Sequence, residues 1–175
     1  GEMGVKTQRT APDTCIFQAD TVDIDYLRSD SYRQKSGRLR GSVMMAGPML
    51  ARYRRAFITK PGGDKIGRRR LDTHIIGFET LGARFDYHPE EGLFHLEAAH
   101  LKGCYLLLDE PSVTGTANII MAAVMAEGVD TCENVSGYFE IQQLCKMLTR
   151  MGARIRGIGS NVGHAEGVKC LSGTE

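Results

Sequence analysis

The sequence predicts an α/β fold in which strands and helices alternate. An apolar run at 104–108 precedes Ser112, a candidate helix N-cap followed by apolar residues at helical spacing. A second amphipathic stretch, 138–151, ends at a glycine and leads into another strand-like segment, 153–158. The order is therefore strand, helix, strand, helix, strand, which is typical of α/β proteins.

The first half of the chain repeats this alternation. We predict a helical stretch at 43–53 broken near Gly47-Pro48, a strand at 55–59, a helix at 72–81, and strands at 83–88 and 93–97 around a turn. Nearer the N-terminus we expect strands at 15–19 and 22–24, followed by polar connecting structure at 26–35.

Short internal similarities indicate two related units. Leu39-Arg40-Gly41-Ser42 recurs as Leu101-Lys102-Gly103-Cys104, and the residues at 81–85 recur at 151–155. We therefore divide one domain into N-terminal strands (1–38), a first unit (39–100) and a second unit (101–175).

Composition limits the possible functions. The 175 residues carry 22 Lys and Arg against 21 Asp and Glu, a net charge of +1, which argues against nucleic acid as a partner. Five cysteines without a close pair are typical of reduced thiols, and the five histidines lack metal-ligand spacing, so no metal site is expected. Without an apolar segment long enough to span a bilayer, we expect a cytoplasmic protein that does not bind membranes.

A basic, glycine-rich loop follows the predicted strand at 55–59. It holds Gly62, Gly63 and Gly67 among five Lys and Arg side chains. Glycines let backbone N–H groups turn inward, and a predicted helix start follows, so phosphate or carboxylate binding has a direct physical cause. A solvated surface turn has the same composition. Asp64 within the loop is either an acid/base group or a turn residue that caps its own backbone.

Two longer motifs carry a family resemblance. They are Gly47-Pro48-Met49-Leu50-Ala51-Arg52 with the run from Pro61 to His74, and the run from Asp109 to Thr116 with Met125-Ala126-Glu127-Gly128. These residues resemble the UDP-N-acetylglucosamine enolpyruvyl transferase family of peptidoglycan synthesis, and the likeness extends over nearly the whole chain from Cys15. The resemblance implies repeated βαβαββ units of the inside-out barrel found in enolpyruvyl transferases.

The resemblance also implies a reaction and its residues. The enolpyruvyl group of phosphoenolpyruvate passes to the 3-hydroxyl of UDP-N-acetylglucosamine and phosphate is released, without a metal or organic cofactor. Asp64 matches the proton donor, Arg69 an arginine that holds phosphoenolpyruvate, and Arg40 an arginine near the reaction centre. The residues that match the sugar-nucleotide contacts are Arg70, Leu71, Asp72, Thr73, Ser112 and Val113.

Several positions depart from the family pattern. The position of Asp64 is usually a cysteine that fosfomycin alkylates, so we expect an enzyme with Asp64 to resist this antibiotic. Glu110-Pro111 replaces a lysine-containing pair, and Tyr138-Phe139 stands where an acidic residue and a proline are usual. Gly163-His164-Ala165 interrupts what the resemblance predicts to be an apolar strand.

The resemblance implies a longer, two-domain protein with its active site between the domains. We therefore expect this chain to be one domain, nearly or wholly inactive alone, whose partners are the two substrates and the second domain. The alternative is a non-catalytic fragment that binds a nucleotide sugar or a partner domain. The related shikimate-pathway transferase is disfavoured, because its glycine-alanine-threonine-rich phosphate motif is absent from this sequence.

Overall fold

The computed structural model describes residues 1–60, 62, 71–108, 112–133 and 138–175. The strands in these residues are β1 (Lys6–Ala11), β2 (Thr14–Gln18), β3 (Arg55–Thr59), β4 (Arg84–His88), β5 (Leu93–Glu97), β6 (Tyr105–Leu107), β7 (Val129–Glu133), β8 (Arg154–Arg156) and β9 (Val162–Glu166). The α-helices are α1 (Asp30–Ser36), α2 (Ala46–Tyr53), α3 (Asp72–Thr80), α4 (Val113–Ala123) and α5 (Phe139–Arg150). Two 3-10 turns, Asp25–Arg28 and Arg40–Met45, precede α1 and α2.

The strands form three separate sheets. β1 and β2 pair as a hairpin, β3-β5-β4 is antiparallel, and β6-β7-β9-β8 is mixed because β6 and β7 run parallel. α4 packs against α2, α3 and α5. Its residues from Gly115 to Ile120 are all buried, which makes α4 the central helix of one continuous hydrophobic core. No helix within the described ranges is both long enough and apolar enough to cross a membrane.

The ends of α3 and α5 have the same local structure. Gly82 and Gly152 follow these helices with φ of +95° and +106°, a conformation that costs glycine little. In both turns the next N–H donates at 2.9 Å to the carbonyl five residues earlier, as Ala83 does to Phe78. The division into two related units, with boundaries at 39–100 and 101–175, stays a prediction.

The α/β fold class is confirmed, with corrections near the N-terminus. The expected strand at 22–24 does not form, and the segment 26–35, expected to be connecting structure, contains the 3-10 turn and most of α1. The hydroxyl of Ser29 caps α1 by accepting from the Tyr32 N–H at 3.1 Å. Leu27 and Tyr32 are buried and tie this polar segment to the core.

The Gly47-Pro48 pair does not break a longer helix, as the sequence had suggested. A 3-10 turn occupies 40–45 and α2 begins at Ala46, so Pro48 lies in the first turn. A proline there removes no helical hydrogen bond, because the first N–H groups of a helix have no partner within it. The strands predicted at 55–59 and 93–97 are confirmed with the same bounds.

Candidate functional site

The structure describes part of the predicted site. The predicted residues that it includes are Arg40, Leu71, Asp72, Thr73, Ser112 and Val113. Asp64, Arg69 and Arg70 lie outside the described residues, as does the pair Glu110-Pro111.

Leu71, the residue before α3, does not cap this helix with its side chain. The Leu71 carbonyl accepts from the N–H groups of His74 at 3.0 Å and Ile75 at 3.1 Å. Leucine offers no side-chain acceptor, so the N–H groups of Asp72 and Thr73 face the helix entrance without a cap from Leu71. This helix start has the partial positive charge that attracts anions.

The predicted cap of α4 is confirmed. The Ser112 hydroxyl accepts from the Gly115 N–H at 3.1 Å, and the Ser112 carbonyl accepts from the Thr116 N–H at 2.8 Å. These two bonds do not engage the N–H groups of Val113 and Thr114, and Thr114 is exposed. The first turn of α4 therefore has two backbone N–H groups, those of Val113 and Thr114, that Ser112 does not cap.

The two helix starts lie against each other. A Cβ atom on Gly115 would lie 2.7 Å from Cγ2 of Thr73, so only glycine permits this approach. One turn later, a Cβ atom on Gly77 of α3 would lie 2.4 Å from Cδ1 of Ile119 on α4. The helices therefore run parallel, with their N-termini at the same end of the domain.

The positive charge of Arg40 reaches His74 in the first turn of α3. Arg40 begins the 3-10 turn before α2 and is half-buried. Burial, and to a smaller extent the positive charge of Arg40, lower the pKa of His74 on α3 from 6.5 to about 4. A guanidinium group with no paired carboxylate described for it supplies the charge that phosphate or carboxylate binding needs.

The entrance to the basic loop is fixed to the turn that carries the arginine. A Cβ atom on Gly62 would lie 1.8 Å from the Gly37 carbonyl oxygen, which leaves no room for a side chain. The hydroxyl groups of Thr59 and Ser36 lie 3.0 Å apart, and Ser42 within the turn donates to the Ser36 carbonyl at 3.0 Å. These contacts anchor the loop entrance to the end of α1 and to the turn that carries Arg40.

Sequence reasoning missed a polar pair beneath the site. His74 and Asn118 are buried, at 4% and 0% exposed, and their side chains are 3.0 Å apart. The sequence does not decide whether His74 lines a cleft or lies on a helix surface, but it contains one signal for Asn118. An amide in the otherwise apolar run at 117–123 must find hydrogen-bond partners when it is buried.

Metal ligation has no support in the described part of the chain. No group of three or more His, Cys, Asp or Glu side chains there is arranged to hold a metal ion. What the described residues offer at the helix starts is a set of hydrogen-bond donors, with the cation of Arg40 within electrostatic reach of His74.

Residues 3–175 match the model of the family EPSP synthase (3-phosphoshikimate 1-carboxyvinyltransferase). The chain belongs to this family. Two solved enolpyruvyl transferases share its fold at low sequence identity. The enolpyruvyl transferase NikO from Streptomyces tendae superposes with a TM-score of 0.75 at 14% identity, covering 98% of this chain and 39% of that one. EPSP synthase from Acinetobacter baumannii gives a TM-score of 0.68 at 17% identity, covering 99% and 38%.

Curated relatives are more similar in sequence. UDP-N-acetylglucosamine 1-carboxyvinyltransferase of Porphyromonas gingivalis is 55% identical over 173 residues, and that of Bacteroides thetaiotaomicron is 55% identical over 174. Each match covers 99% of this chain and 40% of the relative. The protein of the same name from Treponema pallidum is 50% identical over 137 residues, covering 78% and 32%. The resemblance is confirmed, and the chain spans about 40% of the length of these relatives.

Proposed function

We propose that this chain is part of an enzyme that transfers the enolpyruvyl group of phosphoenolpyruvate to the 3-hydroxyl of UDP-N-acetylglucosamine. One observation carries the proposal. Two parallel helix starts converge within electrostatic reach of Arg40 in a chain that is 55% identical to UDP-N-acetylglucosamine 1-carboxyvinyltransferases. The reaction serves peptidoglycan synthesis, and its nucleotide and enolpyruvate substrates fit a cytoplasmic location.

The helix starts suit a sugar nucleotide. Its diphosphate carries negative charge, and helix N-termini bind such groups through free N–H donors and the helix dipole. The first turn of α4, in which Thr114 is exposed, offers the N–H groups of Val113 and Thr114, which Ser112 does not cap. Asp72 and Thr73 at the adjacent start of α3 bind the uridine end of the same ligand.

The reacting end belongs to the basic loop and Arg40. Arg40 and Arg69 hold the anionic oxygens of phosphoenolpyruvate in bidentate contacts. Asp64 donates a proton to the methylene carbon while the sugar hydroxyl adds to the neighbouring carbon, and phosphate then leaves as the proton is lost again. A protonated carboxyl group performs this step as well as a thiol does.

The remaining length of the relatives supplies the rest of the site. The base for the sugar hydroxyl and a further arginine are expected on the second domain, opposite this one. Their loss removes both positioning and charge stabilisation, the main sources of enzymatic rate. We therefore expect the 175-residue chain to bind the nucleotide sugar but to release almost no phosphate from phosphoenolpyruvate.

Calorimetric titration with UDP-N-acetylglucosamine tests the proposal. We expect the chain to bind saturably and Asp72→Ala to bind at least tenfold more weakly. The control Asp13→Ala removes an exposed carboxylate that is distant from Asp72 in the sequence, and its affinity should be unchanged. A folded chain that shows no saturable binding overturns the proposal. Phosphate release after adding the second domain of a relative distinguishes an enzyme part from a fragment that only binds.

A further inference from the structure

Both side-chain N–H hydrogens of Asn118 have an acceptor nearby. Its Oδ1 accepts from the Gly47 N–H at 2.9 Å, and its Nδ2 donates to the Val43 carbonyl at 2.8 Å. The same Nδ2 lies 3.0 Å from Nδ1 of His74. The amide thereby joins α4 to α3 and to the segment at the start of α2, all inside the core.

The two backbone partners determine where the proton of His74 lies. A backbone N–H can only donate and a carbonyl can only accept, so the orientation of the Asn118 amide is fixed. The second hydrogen of its Nδ2 then points at Nδ1 of His74, which accepts it through a lone pair. The imidazole is therefore neutral, with its own hydrogen on Nε2.

The electrostatic surroundings agree with a neutral ring. Burial lowers the pKa of His74 to about 4, and the positive charge of Arg40 contributes in the same direction. A protonated ring would place a hydrogen against the Asn118 amide and a second positive charge beside Arg40. The hydrogen-bond network is thus consistent only with the uncharged form.

The Nε2 side of the ring faces the candidate site. Nε2 lies 3.5 Å from Oγ1 of Thr114, the exposed residue in the first turn of α4. This distance is at the limit for a hydrogen bond, so the Nε2–H group keeps donor capacity for a closer acceptor.

We propose that Asn118 is a positioning residue that holds His74 as the Nε2–H tautomer, so that His74 donates to an anionic oxygen of the bound substrate between Arg40 and Thr114. The inference rests on the proposed function, because it needs a phosphate-bearing ligand at the start of α4. It adds a neutral imidazole donor to a site that also offers hydroxyl groups and the guanidinium group of Arg40.

The variant Asn118→Asp tests the positioning role. It keeps the shape and the acceptor for the Gly47 N–H, but it places an acceptor opposite Nδ1 of His74. We expect at least tenfold weaker binding of UDP-N-acetylglucosamine. The control Asn161→Asp adds the same charge at an exposed position and should change affinity less than twofold.

Imidazole 15N NMR of the ligand-free chain tests the tautomer without any substrate. We expect His74 to carry its proton on Nε2 at pH 7 and to carry a proton on Nδ1 in Asn118→Asp. A parent chain with the proton on Nδ1 overturns the inference and leaves the proposed function standing.

Two variants of His74 separate its nitrogens and remain informative if Asn118→Asp fails to fold. His74→Gln keeps an N–H near the Nε2 position, whereas His74→Asn keeps only an acceptor for Asn118. If His74→Gln binds UDP-N-acetylglucosamine or phosphoenolpyruvate more tightly than His74→Asn does, the donor role is supported. Equal affinities, or tighter binding by His74→Asn, overturn it.

Parallel titrations with phosphoenolpyruvate identify the oxygen. If the His74 variants lose affinity for UDP-N-acetylglucosamine only, the oxygen that accepts from His74 belongs to the diphosphate. If they lose affinity for phosphoenolpyruvate only, it belongs to that substrate. A parent chain that binds neither ligand overturns the proposed function and the donor role together, while the NMR result on the tautomer stays independent.

Discussion

Asp130 on β7 lies opposite Ala165 on β9, and Oδ2 of its buried carboxyl group has no hydrogen-bond partner among the described residues. The other oxygen accepts from the Cys104 N–H at 3.0 Å. A cavity of about 40 Å³ adjoins Asp130, lined by Gly163 and Ala165 together with apolar side chains of α4 and α5. The small residues at 163 and 165 do not prevent β9 from forming, but they leave space beside a buried acid.

Asp130 should make the chain less stable at high pH. Burial raises the pKa of Asp130 from 3.8 to about 6, so the folded chain binds this proton more tightly than the unfolded chain does. Stability is therefore lost as the pH rises from 3.8 through 6. In urea denaturation we expect the free energy of unfolding of Asp130→Asn, relative to the parent, to increase by about 2 kcal/mol between pH 4.5 and pH 8.

The exposed Asp13 provides the matched control for this measurement. Asp13→Asn should follow the parent within about 0.5 kcal/mol at both pH values. A constant difference between Asp130→Asn and the parent across this range would contradict the effect of burial on Asp130.

His74 should make the chain less stable in acid. Its pKa is lowered from 6.5 to about 4 in the folded chain, so the stability that it contributes is complete above pH 6.5 and is lost as the pH falls toward 4. His74→Asn keeps the acceptor for Asn118 and does not titrate. In the Asp130→Asn background, which removes the opposite pH dependence, we expect His74 to account for a loss of about 2.5 kcal/mol between pH 7.5 and 4.5.

Urea denaturation of His74→Asn and of its parent, both in the Asp130→Asn background, can also contradict this prediction. If His74→Asn and its parent lose equal stability over this interval, the ring is not held neutral in the folded chain.

Gly62 should not tolerate even an alanine. The added Cβ atom would lie 1.8 Å from the Gly37 carbonyl oxygen, so the backbone must move. We expect Gly62→Ala to lower the free energy of unfolding by about 1–3 kcal/mol in urea. Gly41→Ala is the control, because its Cβ atom meets only Cγ of Leu39 at 3.8 Å and should leave stability within about 0.5 kcal/mol. If Gly62→Ala and Gly41→Ala lower the free energy of unfolding equally, residues 37 and 62 are not in close contact.

A protein with Asp64 should resist fosfomycin. A carboxylate is a much weaker nucleophile toward an epoxide than a cysteine thiolate is. After incubation with fosfomycin and UDP-N-acetylglucosamine, mass spectrometry of the chain combined with the second domain of a relative should show no stoichiometric adduct, whereas the same assembly with Asp64→Cys should gain one. Rapid alkylation of the parent chain at residue 64 would contradict this prediction.

The elements with strong local signals could be predicted from the sequence. The strands at 55–59 and 93–97 are bounded by clear turn residues, and Ser112 stands before a run with helical spacing. The hairpin of β1 and β2 could not be recognised fully, because its side chains are almost all exposed and show no apolar alternation. The sequence does not predict α1 because its two buried residues, Tyr32 and Ser36, include only one apolar side chain in an otherwise polar segment.

The candidate site likewise has residues that the sequence predicts and contacts that it does not. The helix-start residues followed from the family resemblance, since the motifs are contiguous in the sequence. The pairing of His74 with Asn118 joins residues 44 positions apart, and no local pattern specifies such a contact. The close approach of Thr73 and Gly115 likewise depends on how α3 and α4 pack.

Amide NMR of the 15N-labelled chain during titration with UDP-N-acetylglucosamine tests most directly whether the two helix starts form the nucleotide-sugar site. We predict saturable shifts that are largest for Asp72, Thr73, Val113 and Thr114. A folded chain whose shifts are absent, or are centred on another surface such as the β1 and β2 hairpin, would contradict the proposed site.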